Sequence, residues 1–171
     1  MESLLGRLPD LDRGKMPAVG TALAEGLLRE LLQGGEERLL DLVAGIKEVD
    51  NGDDWKARFL LHRLVMLVGA ADRAEQRGMV AGLLLEESIG ERPAGVRVFL
   101  LSQLRLIADG TAVPKLVSLL GANEREIVDG ASMALVSIGE DALPALRKAL
   151  AKAQGPQRDV IANAVAQVGG R

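Results

Sequence analysis

Phe59-Leu60-Leu61-His62-Arg63-Leu64 is answered forty positions later by Phe99-Leu100-Leu101-Ser102-Gln103-Leu104. Outward from this pair the echoes weaken but continue in thirty-residue steps. Val136-Ser137-Ile138-Gly139 is matched by Ala166-Gln167-Val168-Gly169, and Val113-Pro114 by Leu143-Pro144. Self-similarity at about 30–40 residues is the mark of stacked supersecondary units, none of which can bury its apolar face alone. Such an architecture offers an extended surface, so function is to be sought there.

Composition fits that reading. The 171 residues are 48% hydrophobic and 26% charged, a globular balance, long enough for one domain with a sizeable core. Aromatic residues make up only 2%: Trp55, Phe59 and Phe99, with no Tyr. The core must therefore be Leu, Val, Ile and Ala, which suits helices better than sheets. With 21 basic and 24 acidic residues the net charge is −3, which gives no overall cationic footprint for nucleic acid. Absence of Cys excludes disulfides, thiol nucleophiles and Cys-based zinc sites. Neither a secretory signal at Met1-Glu2-Ser3-Leu4 nor an apolar run near the ~18 residues of a membrane span is visible. The expectation is a soluble, cytoplasmic protein.

Apolar residues recur with helical period almost throughout, broken by short Gly, Pro and Asp clusters. The spacing predicts five antiparallel helix pairs: 2–8 with 17–32, 36–49 with 54–68, 73–86 with 94–108, 112–120 with 126–138, and 142–152 with 157–168. Gln33-Gly34-Gly35 and Gly155-Pro156 supply turns, as does Asp50-Asn51-Gly52-Asp53. In the helix over 54–68, Ala57, Leu60, Leu61, Leu64, Leu67 and Val68 form one apolar arc, with Trp55, Phe59 and Met66 on the other side. A helix apolar on two sides is sandwiched between neighbours, and all three large residues are expected in packing between units.

Residues 112–120 (Ala-Val-Pro-Lys-Leu-Val-Ser-Leu-Leu) and 128–139 (Val-Asp-Gly-Ala-Ser-Met-Ala-Leu-Val-Ser-Ile-Gly) resemble a HEAT repeat. In that pattern a Pro near the start of the first helix precedes Leu-rich turns, and a Val-Arg-x-Ala-Ala-x-x-x-Leu helix ends at Gly. The likeness is good for the last two pairs, fair for the second and third, and poor before about residue 35. It departs where the family usually has Arg in the second helix, here Asp129 and Asp159. The resemblance implies an all-α, armadillo-type right-handed superhelix (an α-solenoid) of about five pairs. One domain over 1–171 would hold N-terminal capping helices (1–35) and repeats at 36–69, 72–109, 111–140 and 141–170.

Equivalent positions in such a stack form columns. One is His62, Ser102, Ser132 and Ala162; its neighbour is Arg63, Gln103, Met133 and Asn163. The resemblance implies that second helices line a concave face, so these polar interruptions are candidate partner-binding residues: His62, Arg63, Ser102, Gln103 and Ser132. Lys56, Arg58 and Arg63, then Arg97 and Arg105, form a basic ridge suited to an acidic peptide, a phosphate or nucleic acid. A plain solvated strip is the alternative. His62, the only His, is a poor metal or catalytic candidate by itself.

At the far end Ile127, Val128 and Met133 are matched by Gln157, Arg158 and Asn163, as in a capping repeat whose outer side meets water. Val160, Ile161, Val165 and Val168 remain apolar, which raises end-on self-association through the C-terminal pair. No phosphate loop, dinucleotide-binding glycine pattern or nucleophile elbow is present. Asp50-Asn51-Gly52-Asp53-Asp54 lacks calcium-ligand spacing and reads as a turn, with Asp53 or Asp54 capping the next helix. Adjacent Glu36-Glu37 and Glu86-Glu87 diverge around a helix and make no acid–base dyad.

The sequence thus points to a non-enzymatic module without cofactor or metal that binds another protein or peptide. Polyanion binding is the alternative, disfavoured by net charge and by the scarcity of stacking aromatics. A lyase- or glycosylase-type enzyme, of the kind some HEAT-like folds host, stands third.

Overall fold

The computed structural model describes residues 4–15, 17–48 and 54–170. Among these the chain is helical: α1 (Thr21–Gln33), α2 (Gly35–Ala44), α3 (Trp55–Val68), α4 (Ala74–Ile89), α5 (Ala94–Leu104), α6 (Val113–Leu119), α7 (Arg125–Ile138), α8 (Leu143–Leu150) and α9 (Gly155–Gly169). No strand occurs among the described residues beyond one isolated bridge between Asp12 and Lys15.

Local chemistry explains most of the boundaries. Pro114, Pro144 and Pro156 sit in the first turns of α6, α8 and α9, where the missing N–H costs nothing. Glu36 and Glu37 open α2, placing negative charge at the positive end of its dipole. Gly139, with φ +81°, ends α7 in a conformation that side chains with a Cβ rarely adopt.

Five expected spans differ by about three residues or more, among them 17–32, which begins only at Thr21, and 94–108, which ends at Leu104. Instead of a helix over 2–8 there is a 3-10 turn, Leu4–Arg7; Glu2 lies outside the described residues. Pro9, just beyond Leu8, disfavours helical backbone there. Helix α2 stops at Ala44, where the Gly45 N–H closes on the Leu42 carbonyl, and the expected Asp50–Asp53 turn lies outside the described residues. Helix α4 runs past Glu86 to Ile89 because no breaker intervenes before Gly90, and the Ser88 hydroxyl donates back to the Leu84 carbonyl at 2.6 Å.

Packing follows a regular rule. The odd-numbered helices touch in succession, α1 on α3, α3 on α5, α5 on α7 and α7 on α9. The even-numbered ones do the same from α2 to α8, while α2–α3, α4–α5, α6–α7 and α8–α9 close the hairpins. A continuous apolar cluster runs from Leu8 to Val168, and Leu60, Leu64, Leu100, Leu104, Leu116 and Leu135 are wholly buried in it. Burying one such side chain stabilises by about 1.5–3 kcal/mol. The three matched leucine pairs, 60 with 100, 61 with 101 and 64 with 104, thus supply the core where the quoted echo repeats.

Two expectations about exposure are corrected. Trp55 is buried and Phe59 half-buried, their ring centroids 6.0 Å apart, but Met66 is 59% exposed. Met66 stands one turn beyond His62, so it shares that residue's open side and not the packed one. At the C-terminal end Ile161 and Val168 are buried by the chain itself, leaving Val160 and Val165 half-buried. No helix among the described residues is long and apolar enough to cross a membrane.

Candidate functional site

The repeat register brings its polar columns together. Nδ1 of His62, on α3, lies 2.9 Å from Oε1 of Gln103, on α5. An acceptor oxygen places the imidazole proton on Nδ1. Gln103 Nε2 in turn donates to Ser102 Oγ at 3.1 Å, and Ser102 donates to the Phe99 carbonyl at 2.6 Å. Residues of the two expected columns are therefore joined in one hydrogen-bonded chain. Its members differ in access: His62 and Ser102 are exposed, whereas Gln103 is 7% exposed and acts as a linker between helices. Ser132 is half-buried on α7 and stands outside the hydrogen bonds described for that chain.

The predicted basic ridge divides into two groups. Three of its cations are engaged within the chain. Lys56 Nζ lies 2.6 Å from Asp10, whose carboxyl is held below the usual carboxylate range by that hydrogen bond and by the lysine's charge. Arg58 bonds Asp54 Oδ2 at 2.9 Å and the Lys47 carbonyl at 2.9 Å, and its guanidinium lies 4.6 Å from the centre of the Phe99 ring. Arg97 bonds the Ser88 carbonyl at 2.8 Å and approaches Glu124 at 3.6 Å. The other two face outward. Arg63 is exposed and forms no ion pair among the described residues; half-buried Arg105 reaches Met133 Sδ at 4.0 Å.

Asp54 is the residue whose role the sequence misassigned. It occupies the N-cap position of α3, yet its side chain makes no capping bond there. Oδ2 accepts from the Lys47 backbone N–H at 2.8 Å and from Arg58, with the residue 3% exposed. The i,i+4 spacing of Asp54 and Arg58 was the available signal; the tie to Lys47 had none. Asp53, the other capping candidate, lies outside the described residues.

Beside the polar chain stand apolar side chains that the sequence did not single out as a surface. Met66, Leu106 and Met133 are 59%, 46% and 51% exposed, more than any other large apolar residue described. A cleft between α7 and α9, lined by Arg125, Val128, Asp129, Gln157, Val160 and Asn163, continues toward the C-terminal end. Among the described residues no group of three or more His, Asp or Glu side chains is gathered at metal-binding separation.

Comparison with protein-family models and with curated proteins returns no significant match for this chain.

Proposed function

We propose that the chain is a non-catalytic binding module, a HEAT-type α-solenoid that receives another protein on the side formed by α3, α5 and α7. The observation that carries this reading is the His62–Gln103–Ser102 chain. It joins matched columns on successive odd-numbered helices at the border of an open surface. The succession of contacts between each helix and the one two places on supports the stacked arrangement. The bond of His62 runs to an amide and not to an acid–base partner, which favours the surface itself as the functional element.

Polyanion binding draws less support. Lys56, Arg58 and Arg97 are spent on internal partners, which leaves Arg63 and Arg105 as the outward cations of the ridge. End-on self-association also loses its motive where Ile161 and Val168 are covered by the chain's own helices.

Quantitative affinity capture from native cells tests the reading. Arg63→Glu with Arg105→Glu should lower recovery of the partners, while Lys148→Glu on α8 should not. Equal recovery with both variants removes this face from consideration. Retention on heparin at moderate salt, lost in the double variant, would favour the polyanion instead.

A further inference from the structure

Met66 and Leu106 share one register, while Met133, matched to Arg63 and Gln103, stands about one turn out of step with them. On α3, His62, Arg63 and Met66 lie within one turn of each other on the exposed side. Forty positions on, Ser102 and Leu106 stand where His62 and Met66 do, and the His62–Gln103 bond shows that α3 and α5 are juxtaposed at that level. Leu106 continues the last turn of α5, its N–H bonded to the Gln103 carbonyl at 3.0 Å. Met133, on α7, is brought alongside by Arg105. The three most exposed large apolar side chains described thus form a strip crossing three helices, flanked by Arg63 and Arg105.

Cations predominate along the strip, with Glu126 and Asp129 on α7 as the carboxylates at its border and Arg125 beside them. Neither α3 nor α5 contains an acidic residue. On α7, Asp129 lies 3.7 Å from Arg125, which offsets its charge. A complementary partner therefore carries carboxylates around an apolar ridge.

The surface also favours one backbone conformation in that partner. An extended segment brings unpaired N–H and C=O groups, and burying them requires polar side chains in the groove. Here the central amide, Gln103, already bonds His62 and Ser102, and the strip presents sulfur and methyl groups. A helix satisfies its own backbone. Adjacent packed helices are about 8–10 Å apart, which matches the ~10.5 Å between helical positions seven residues apart. Methionines, unbranched and adaptable, suit such a contact.

Resting on the binding-module reading, we infer that Met66, Leu106 and Met133 form the docking strip for an acidic amphipathic helix of another protein, with Arg63 and Arg105 pairing its carboxylates. A displayed library of 18-residue peptides tests this. One half holds helix-favouring frameworks, the other proline-interrupted ones, both with randomised apolar and charged positions. Selection is on the whole protein, with counter-selection on a Met66→Glu, Leu106→Glu, Met133→Glu variant whose helicity is verified by circular dichroism.

The expected winners are net-acidic helical peptides with an apolar ridge. Their affinity should drop at least tenfold with Arg63→Glu plus Arg105→Glu and weaken with added salt. Winners that are basic or proline-interrupted overturn the inference, as does failure of any clone to distinguish the protein from the strip variant. So does a wild-type dimer in sedimentation that the strip variant abolishes, because the occupant is then a second copy. If native partners are lost with Arg63→Glu plus Arg105→Glu yet no acidic helix is selected, the helix assignment falls and the binding-module reading stands. If native partners are unaffected, that reading itself falls.

Discussion

Nδ1 of His62 lies 2.9 Å from Oε1 of Gln103, a hydrogen bond that joins α3 to α5 across 41 positions of sequence. Because Gln103 is 7% exposed, removing its partner strands an amide oxygen in a largely dry place. His62→Ala is expected to cost about 1 kcal/mol. Gln103→Leu, which removes the polar group together with its need for a partner, should cost less. Urea denaturation of both single variants and the double variant checks this: a coupling of about 0.5–1.5 kcal/mol is expected. Strictly additive losses would show that the bond contributes nothing.

Asp54 holds together the start of α3 and the segment that precedes it. Its carboxylate accepts from Lys47 N–H at 2.8 Å and from Arg58 at 2.9 Å, while Arg58 also covers Phe99 of α5. Asp54→Ala removes the carboxylate that Arg58 and the Lys47 N–H both bond, and breaking such a buried pair typically costs about 3–5 kcal/mol. The lower end is expected here because Arg58 retains the Lys47 carbonyl and the ring. A midpoint shift in urea under a third of that size would mean that the carboxylate is incidental.

Glycine-to-alanine substitutions should act in opposite directions at two places on neighbouring helices. Gly78 and Gly82 are exposed within α4, and an added Cβ would meet nothing within 4 Å. Each substitution should stabilise by roughly 0.5–1 kcal/mol through reduced unfolded-state freedom. At Gly95, in the first turn of α5, the Cβ would lie 2.4 Å from the Glu48 carbonyl oxygen. Backbone must shift there, at a cost of about 1–3 kcal/mol. Thermal melts should therefore rise for Gly78→Ala with Gly82→Ala and fall for Gly95→Ala; a rise for Gly95→Ala would contradict the close approach of α5 to that carbonyl.

How far the sequence could be read follows from which interactions are local. Pro114 and Pro144 marked helix starts because the backbone rule they obey involves only their own turn, and by the same rule Pro156, read as part of a turn, lies in the first turn of α9. The Phe-Leu-Leu echo located buried leucines and aligned α3 with α5, since equivalent residues in similar units meet similar neighbours. Charge was legible only as sign and position. Lys56 and Arg97 read as surface cations because Asp10 and Glu124, which pair with them, are brought close by tertiary packing alone. Met66 read as core because apolar type is visible in a sequence and the absence of a covering helix is not. The last expected helix pair kept its apolar residues for a similar reason: Ile161 and Val168 face inward, a choice set by the phase of α9 and not by its composition.

Asp109 gives the chain a pH dependence whose sign can be worked out. Its carboxylate accepts from the Thr111 hydroxyl at 2.6 Å and from the Thr111 N–H at 2.9 Å, capping the 3-10 turn Gly110–Ala112 that leads into α6. Those two bonds, the hydroxyl's first, hold its carboxyl below the usual carboxylate range. A carboxyl whose folded-state pKa is depressed stabilises fully above the unfolded value, and that contribution is lost as pH falls through the folded one. Asp109→Ala should therefore cost about 1 kcal/mol near neutral pH, the usual worth of such a cap. In urea titrations the gap between wild type and variant should stay constant from pH 7 to about pH 5 and close below about pH 4. A gap that persists unchanged to pH 3 would assign the stabilisation to the shape of the side chain and not to its charge.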